Sequence, residues 1–203
     1  MLLDAKRGDI GSTAEGYARA YLSAGAAFPS DALTVNPYLG RDTLEPYFKE
    51  VTQNGVGVFV LVKTSNAGSG DVQDRTSDGG VIWEHVARSL AEASRTLEGP
   101  TTGWSSLGIV VGATYPEQAE RARSLLPKSL QLVPGYGAQG GAAADAVRGF
   151  VAGPSGREGG VVNSSRALLF PPDGATDSAA RWEASLETSL AAAIQDLGSA
   201  VRR

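Results

Sequence analysis

The stretch VGVFVLVKT (56–64) decides how this chain is read. It is an almost unbroken run of β-branched, aromatic and aliphatic residues that ends in Lys63 and passes into polar, glycine-rich sequence. A strand with one wet face alternates apolar and polar residues. A run apolar throughout belongs to a strand covered on both faces, as in parallel sheets flanked by helices. Similar runs recur on either side: Met1 to Leu3, ALTVNP (32–37), LGIVVGAT (107–114), LQLV at 130–133 and the start of GGVVNSSRALLF (159–170).

Helical patterns fill the intervals. Ser12 or Thr13 is positioned to cap a helix through Gly25, and a second helix is predicted from Thr43 to Asn54, with Pro46 in its first turn. Further helices are predicted over 82–97, 115–127 and 143–150, and a long one from Asp177 onward. Trp182, Leu186, Leu190, Ile194, Leu197 and Val201 form the apolar stripe of that last helix. Strand followed by helix, repeated along the chain, predicts a parallel sheet in an α/β fold.

An open doubly wound sheet and a (β/α)₈ TIM barrel both fit such alternation. The polar clusters favour the barrel. Asp4 to Asp9, Asn36, Lys63 to Asn66, Gly135 to Gly141 and Asn163 to Arg166 each follow the carboxyl end of a different strand. Barrels gather their sites from many strand ends, whereas an open sheet concentrates its site at one switch point. A single domain spanning residues 1–203 is expected. Six units cannot close an eight-stranded barrel, and the chain falls short of the ~250 residues typical of one. The expectation is therefore a six-unit portion truncated at its N-terminus, because Met1 already lies within a strand and the long last helix reads as an end.

Composition narrows the chemistry. The chain has 203 residues, a formal net charge of −4, no cysteine and one histidine. An acidic balance argues against a general nucleic-acid binder. Without cysteine there are no disulfides, thiolate nucleophiles or Cys-based zinc sites. A single histidine, His85, leaves multi-histidine metal sites out, and its place in a helical pattern makes packing or surface its expected role. No stretch approaches the ~20 apolar residues of a membrane span, and MLLDAKRGD lacks the apolar core of a signal peptide. The expected compartment is the cytoplasm.

Four stretches carry chemistry. In MLLDAKRGDIGSTA (1–14), Asp4 and Lys6 fall on one face of a strand, and Asp9 follows in a glycine-flanked turn. Acid, base and acid at the end of a buried strand are costly unless they neutralise one another, which favours function over a surface salt bridge. PGYGAQGG (134–141) offers backbone N–H groups and the Gln139 amide to an anion such as phosphate, although turns also collect glycine. NSSR (163–166) adds Arg166, able to grip phosphate with two parallel bonds. In KTSN (63–66), Ser65 and Asn66 suit a polar heterocycle or sugar, or simply cap a loop. The polar stretch 65–80 is long for a connection. There is no P-loop, and no dinucleotide-binding glycine motif follows a strand.

LLDAKRGDIGST resembles the D-x-K-x-x-D signature of orotidine 5′-monophosphate decarboxylases. TVNPYLG (34–40), VLVKTSNAGSGDVQD (60–74), ATYPEQA (113–119), VPGYGAQGG (133–141) and VNSSRALLF (162–170) are similar to the longer bacterial subgroup of that family. The resemblance implies a (β/α)₈ barrel working as a homodimer, converting orotidine 5′-monophosphate to UMP and CO₂ without metal or cofactor. It implies that Asp4 sits against the substrate carboxylate and that Lys6 stabilises and then protonates the C6 carbanion. Asp9 would reach across the dimer interface, with Ile10 and Thr13 beside it. Ser65 would contact the pyrimidine, and Gln139 would close over the substrate. Arg166, beside Ser165, would hold the phosphate, and Asn36 would join the substrate-binding groups.

The family's Lys-Asp-Lys-Asp tetrad takes its first lysine from a strand that has no counterpart here, and Lys63 lies on a later strand. On that ground the chain alone is expected to be inactive or nearly so, and poorly folded. Two alternatives share the pattern: a metal-dependent sugar-phosphate decarboxylase or aldolase with the same D-x-K-x-x-D motif, and an inactive fragment that retains phosphate binding.

Overall fold

The computed structural model describes residues 1–170 and 178–202. In chain order the elements are β1 (Leu2–Arg7), α1 (Gly11–Leu22), β2 (Ala32–Val35), α2 (Glu45–Asn54) and β3 (Gly57–Lys63). A small hairpin, β4 (Thr76–Ser77) and β5 (Gly80–Val81), precedes α3 (Ile82–Ser89) and α4 (Ala91–Thr96). Then come β6 (Ser105–Val111), α5 (Pro116–Leu125), β7 (Ser129–Val133) and α6 (Ala143–Ala146). A second hairpin, β8 (Val151–Gly153) and β9 (Gly156–Glu158), leads to β10 (Gly160–Val162), α7 (Ser165–Leu169) and α8 (Ala179–Val201).

The sheet runs β1-β2-β3-β6-β7-β10, with every pair parallel. Chain order and spatial order coincide, so each unit is laid beside the previous one and no switch point interrupts the series. A doubly wound sheet reverses direction; this one does not, and the architecture is that of a TIM-type barrel wall. Among the described residues β1 and β10 do not pair, so six strands form a curled sheet rather than a closed cylinder.

Alternation along each strand divides two cores. Leu33, Val35, Val58, Val60, Val62, Leu107, Ile109 and Val111 face the helices and pack on Leu22, Tyr47, Val51, Trp83, Leu90 and Leu126. Ala32, Phe59, Val110 and Leu132 face the inside of the curve with Leu2, Leu61 and Leu130. Both faces are apolar, which is why these strands read as continuous runs.

Several local expectations change. Ser12 and Thr13 do not cap α1: Ile10 occupies the cap position without a side-chain bond, and Thr13 N–H donates to Ile10 O at 3.2 Å. The second predicted helix opens with a 3₁₀ turn, Arg41–Leu44, before α2. The helix predicted over 82–97 is two helices meeting at Leu90, a fully buried residue, and the bend lets Trp83 and Ala93 both reach the core. The last strand ends at Val162, and Ser165–Leu169 is helical instead. Asp177, the expected start of the last helix, lies outside the described residues; α8 is capped by Ser178, whose Oγ accepts from Arg181 N–H at 3.3 Å. Its apolar stripe is only partly used. Leu197 and Val201 pack on the cluster around Val133 and Phe150, whereas Ile194 is 63 % exposed.

One side chain crosses between layers. Arg123 of α5 is buried, and its guanidinium donates to the carbonyls of Gly149 (2.8 Å), Pro127 (3.1 Å), Ser129 (2.7 Å) and Gly159 (2.6 Å). The Trp104 ring lies 5.1 Å from it. Burial pulls its pKa down to about 10, which leaves it charged at neutral pH. These bonds tie α5 to the loops entering β7 and β10. Replacing Arg123 by Met leaves the carbonyls without their charged donor, and urea unfolding is expected to show a loss on the order of 4 kcal/mol. A loss below about 1 kcal/mol would show that water takes over the bonds.

Candidate active site

The carboxyl end of β1 is irregular. Leu3 lies opposite Leu33 and Arg7 opposite Val35, so β1 takes four steps where β2 takes two. Lys6 sits in the left-handed region at φ +48°, a conformation that costs a non-glycine residue about 1–3 kcal/mol and collects at functional sites. The distortion turns Lys6 N–H onto Thr34 Oγ1 at 2.9 Å. The Thr34 hydroxyl in turn donates to Asp4 Oδ1 at 2.9 Å, and Lys6 Nζ lies 2.6 Å from Asp4 Oδ2. Thr34 is fully buried; Asp4 and Lys6 are half exposed, at 51 % and 50 % of their side chains. The expectation of a buried strand is thus corrected: among the described residues β1 pairs only with β2, and the charges keep contact with water.

Asp9 does not join this pair. Its Oδ1 accepts Ile10 N–H at 2.8 Å, and among the described residues no hydrogen bond or ion pair links it to Lys6. Thr13 stands exposed in the first turn of α1. Beside Asp9, Ile10 is 63 % exposed, and Tyr38 and Leu39 are also uncovered. Asn36 is tied into its own turn: its N–H donates to Arg7 O at 2.8 Å, and its Oδ1 accepts Tyr38 N–H at 3.0 Å.

A second cluster forms where β3, β6, β7 and β10 end. Ser65 lies so near the exit of β6 that a Cβ on Gly112 would fall 2.7 Å from Ser65 Cα. A Cβ on Gly135, itself at φ +99°, would meet Ser65 Cβ at 3.0 Å and Gln139 Oε1 at 3.2 Å. Ser65 and Gln139 therefore flank one glycine, and only hydrogen fits between them. A cleft lined by Gly135, Gln139, Asn163, Ser165 and Arg166 adjoins them. Arg166 is exposed, with no side-chain partner among the described residues, and Asn163 Oδ1 is buried without one.

The glycine loop offers fewer free donors than its composition suggested. Gly137, Gly140 and Gly141 N–H groups donate to Gly141, Gly137 and Gly135 carbonyls, closing the loop on itself. The Gln139 amide and Arg166 adjoin the loop as side-chain groups that a ligand could meet. Among the described residues no group of three or more His, Cys, Asp or Glu side chains is arranged to hold a metal ion, and no helix is long and apolar enough to cross a membrane.

Sequence reasoning missed Thr34. Its signal was one hydroxyl inside the apolar run ALTV.

Comparison with known proteins agrees with the fold. The model of the orotidine 5′-phosphate decarboxylase / HUMPS family matches residues 1–180. The chain is 45 % identical to the orotidine 5′-phosphate decarboxylase of Rhodopirellula baltica, over 95 % of its own length and 64 % of that protein. It is 44 % identical to the enzyme of the same name from Clostridium tetani, over 84 % of itself and 57 % of that protein. Among solved structures, Leishmania donovani OMP decarboxylase matches with a TM-score of 0.65 at 33 % identity, covering 94 % of this chain and 67 % of that one. The fold and the strand-end cluster define a TIM-type barrel protein with an Asp-Lys site. The chain belongs to the orotidine 5′-phosphate decarboxylase / HUMPS family, and it spans less than two thirds of the length of the curated relatives just given.

The Thr34 bridge is open to a direct test. Thr34→Val keeps the shape but takes the acceptor from Lys6 N–H and the hydroxyl donor from Asp4 Oδ1, and is expected to cost about 1–2 kcal/mol in urea unfolding. Thr34→Ser, which keeps the hydroxyl, is expected to cost less than about 1 kcal/mol. Equal losses for both would mean that the methyl, not the bridge, matters.

Proposed function

We propose that the protein acts in the decarboxylation of orotidine 5′-monophosphate to UMP and CO₂, without metal or cofactor, as a cytoplasmic homodimer. The observation that carries this reading is the Asp4–Lys6 pair, held at 2.6 Å at the carboxyl end of a strand by a left-handed lysine. The family match supports it.

The chemistry follows from the charges. When the C–C bond to the carboxylate breaks, CO₂ departs and the electron pair stays on C6. An ammonium fixed beside C6 stabilises that carbanion far better than mobile water, and Lys6 then delivers its proton to C6 and is reprotonated from solvent. Asp4, facing the substrate carboxylate, repels it in the ground state, and its carboxylate holds the Lys6 ammonium in place at 2.6 Å. Ser65 contacts the pyrimidine, Gln139 closes over the substrate from across Gly135, and Arg166, beside Ser165, holds the phosphate. Binding energy from the remote phosphate can drive closure over the reacting end. Asp9 serves the neighbouring subunit's site, with Thr13 beside it; the uncovered Ile10, Tyr38 and Leu39 give that interface its apolar surface. Asn36 contributes through the turn it holds rather than by direct contact.

The direct test is loss of orotidine monophosphate absorbance, with EDTA present, by the chain and by a version extended upstream to the length of the Rhodopirellula baltica relative. Turnover that survives EDTA and disappears in Lys6→Ala is expected of the extended version. Full turnover in Lys6→Ala would remove Lys6 as proton donor, and loss with EDTA would point to the metal-dependent alternative.

Sharing of Asp9 is tested by mixing. In the extended version, Lys6→Ala and Asp9→Ala are each expected to be inactive, whereas the two mixed in equal amounts should recover about a quarter of the normal sites, because each mixed dimer rebuilds one. No recovery would place Asp9 outside the neighbour's site.

A further inference from the structure

Lys63 is the one lysine whose side chain is fully buried, yet it takes no part in the chemistry above. A register shift on β3 explains its direction. Leu61 lies opposite Val110 on the inner face, but Lys63 lies opposite Val111, a helix-side residue. One extra residue on β3 thus turns Lys63 away from the inside of the sheet. Its ammonium meets Asp74 Oδ1 and Oδ2 at 2.9 and 2.8 Å, donates to Ser69 Oγ at 3.0 Å, and lies 4.1 Å from the centre of the Tyr115 ring.

The partners all belong to, or touch, the segment that carries Ser65. Ser69 Oγ donates to Tyr115 Oη at 3.1 Å. Gln73 pairs with Thr64 twice: its Oε1 accepts Thr64 N–H at 3.0 Å, and its Nε2 donates to Thr64 Oγ1 at 2.8 Å. Thr64 Oγ1 donates to Asn66 Oδ1 at 2.7 Å, and Ser65 O accepts from Thr114 Oγ1 at 3.2 Å. Ser65 is therefore clamped on both sides, and the clamp is anchored on the Lys63–Asp74 pair.

We propose that Lys63 is a positioning residue, whose buried ammonium, paired with Asp74, holds the 64–74 segment so that Ser65 meets the pyrimidine of the ligand. The proposal rests on the functional reading above and adds to it the device that sets base recognition. A buried cation suits the task. The Lys63 ammonium is itself out of reach of water, so leaving its loop partners would strand a buried charge, and the segment is held to the arrangement that satisfies it.

Lys63→Met tests it. The variant keeps the length of the side chain, and the Asp74 it leaves behind is 43 % exposed and remains solvated, so folding is expected to persist. Two ligands are compared by calorimetry on the chain: UMP, and ribose 5-phosphate, which lacks the base. Lys63→Met is expected to weaken UMP about tenfold while ribose 5-phosphate changes by less than about twofold. Ser65→Ala should do the same, and the double variant should be no worse than either single, since both remove one contact. Tyr115→Phe, which removes only the hydroxyl that holds Ser69, should shift UMP in the same direction by a smaller factor, and it serves if Lys63→Met does not fold. Equal weakening of both ligands, unchanged UMP binding, or additive effects with Ser65→Ala would overturn the proposal. A starting protein that does not prefer UMP to ribose 5-phosphate would overturn the functional reading itself, and the positioning role with it.

Discussion

Parallel pairing is the constraint on which the rest of the molecule depends. Six strands running the same way bring six carboxyl ends to one edge of the sheet, and every return to the other edge needs a covering segment. The helices that make those returns bury both strand and helix in a common apolar layer around Leu33, Val60, Leu107 and Ile109. The strand-exit loops carry no such duty. Asp4, Lys6, Ser65, Gln139 and Arg166 all sit at or just beyond strand ends, where a polar group is compatible with the core below.

Three polar side chains that enter the interior are each held by several bonds. Thr34 bridges Asp4 and the Lys6 backbone, Lys63 is surrounded by Asp74, Ser69 and Tyr115, and Arg123 meets four carbonyls. In each case the polar group also fixes something else: a strained strand end, a loop, or the joint between two strands and a helix. The left-handed Lys6 is the clearest exchange. Its backbone strain is offset by the bond to Thr34, and the outcome is an ammonium pinned against a carboxylate.

The alternation of apolar runs and helical stripes made the barrel-type order legible, because burial on both faces leaves a strand with little polar sequence. The split at Leu90, the β8–β9 hairpin and the helical turn after Asn163 were not legible. Short segments carry little periodicity, and their form depends on which neighbours they pack against. The expected stripe of α8 shows the same limit: the 3.6-residue pattern is present, but packing covers Leu197 and Val201 and leaves Ile194 in solvent.

For the site, residue types and spacing by themselves determined that Asp4 and Lys6 share a face and that glycine-rich and arginine-bearing loops follow later strands. Side-chain alternation and backbone chemistry are local properties, so the sequence carries them. Only the tertiary structure decided that Thr34 joins Asp4 to Lys6, that Asp9 stands apart from both, that Ser65 and Gln139 meet over Gly135, and that Lys63 turns to Asp74. Those relations depend on register between strands and on one-residue shifts within it, which arise from the whole sheet and are written in no single stretch.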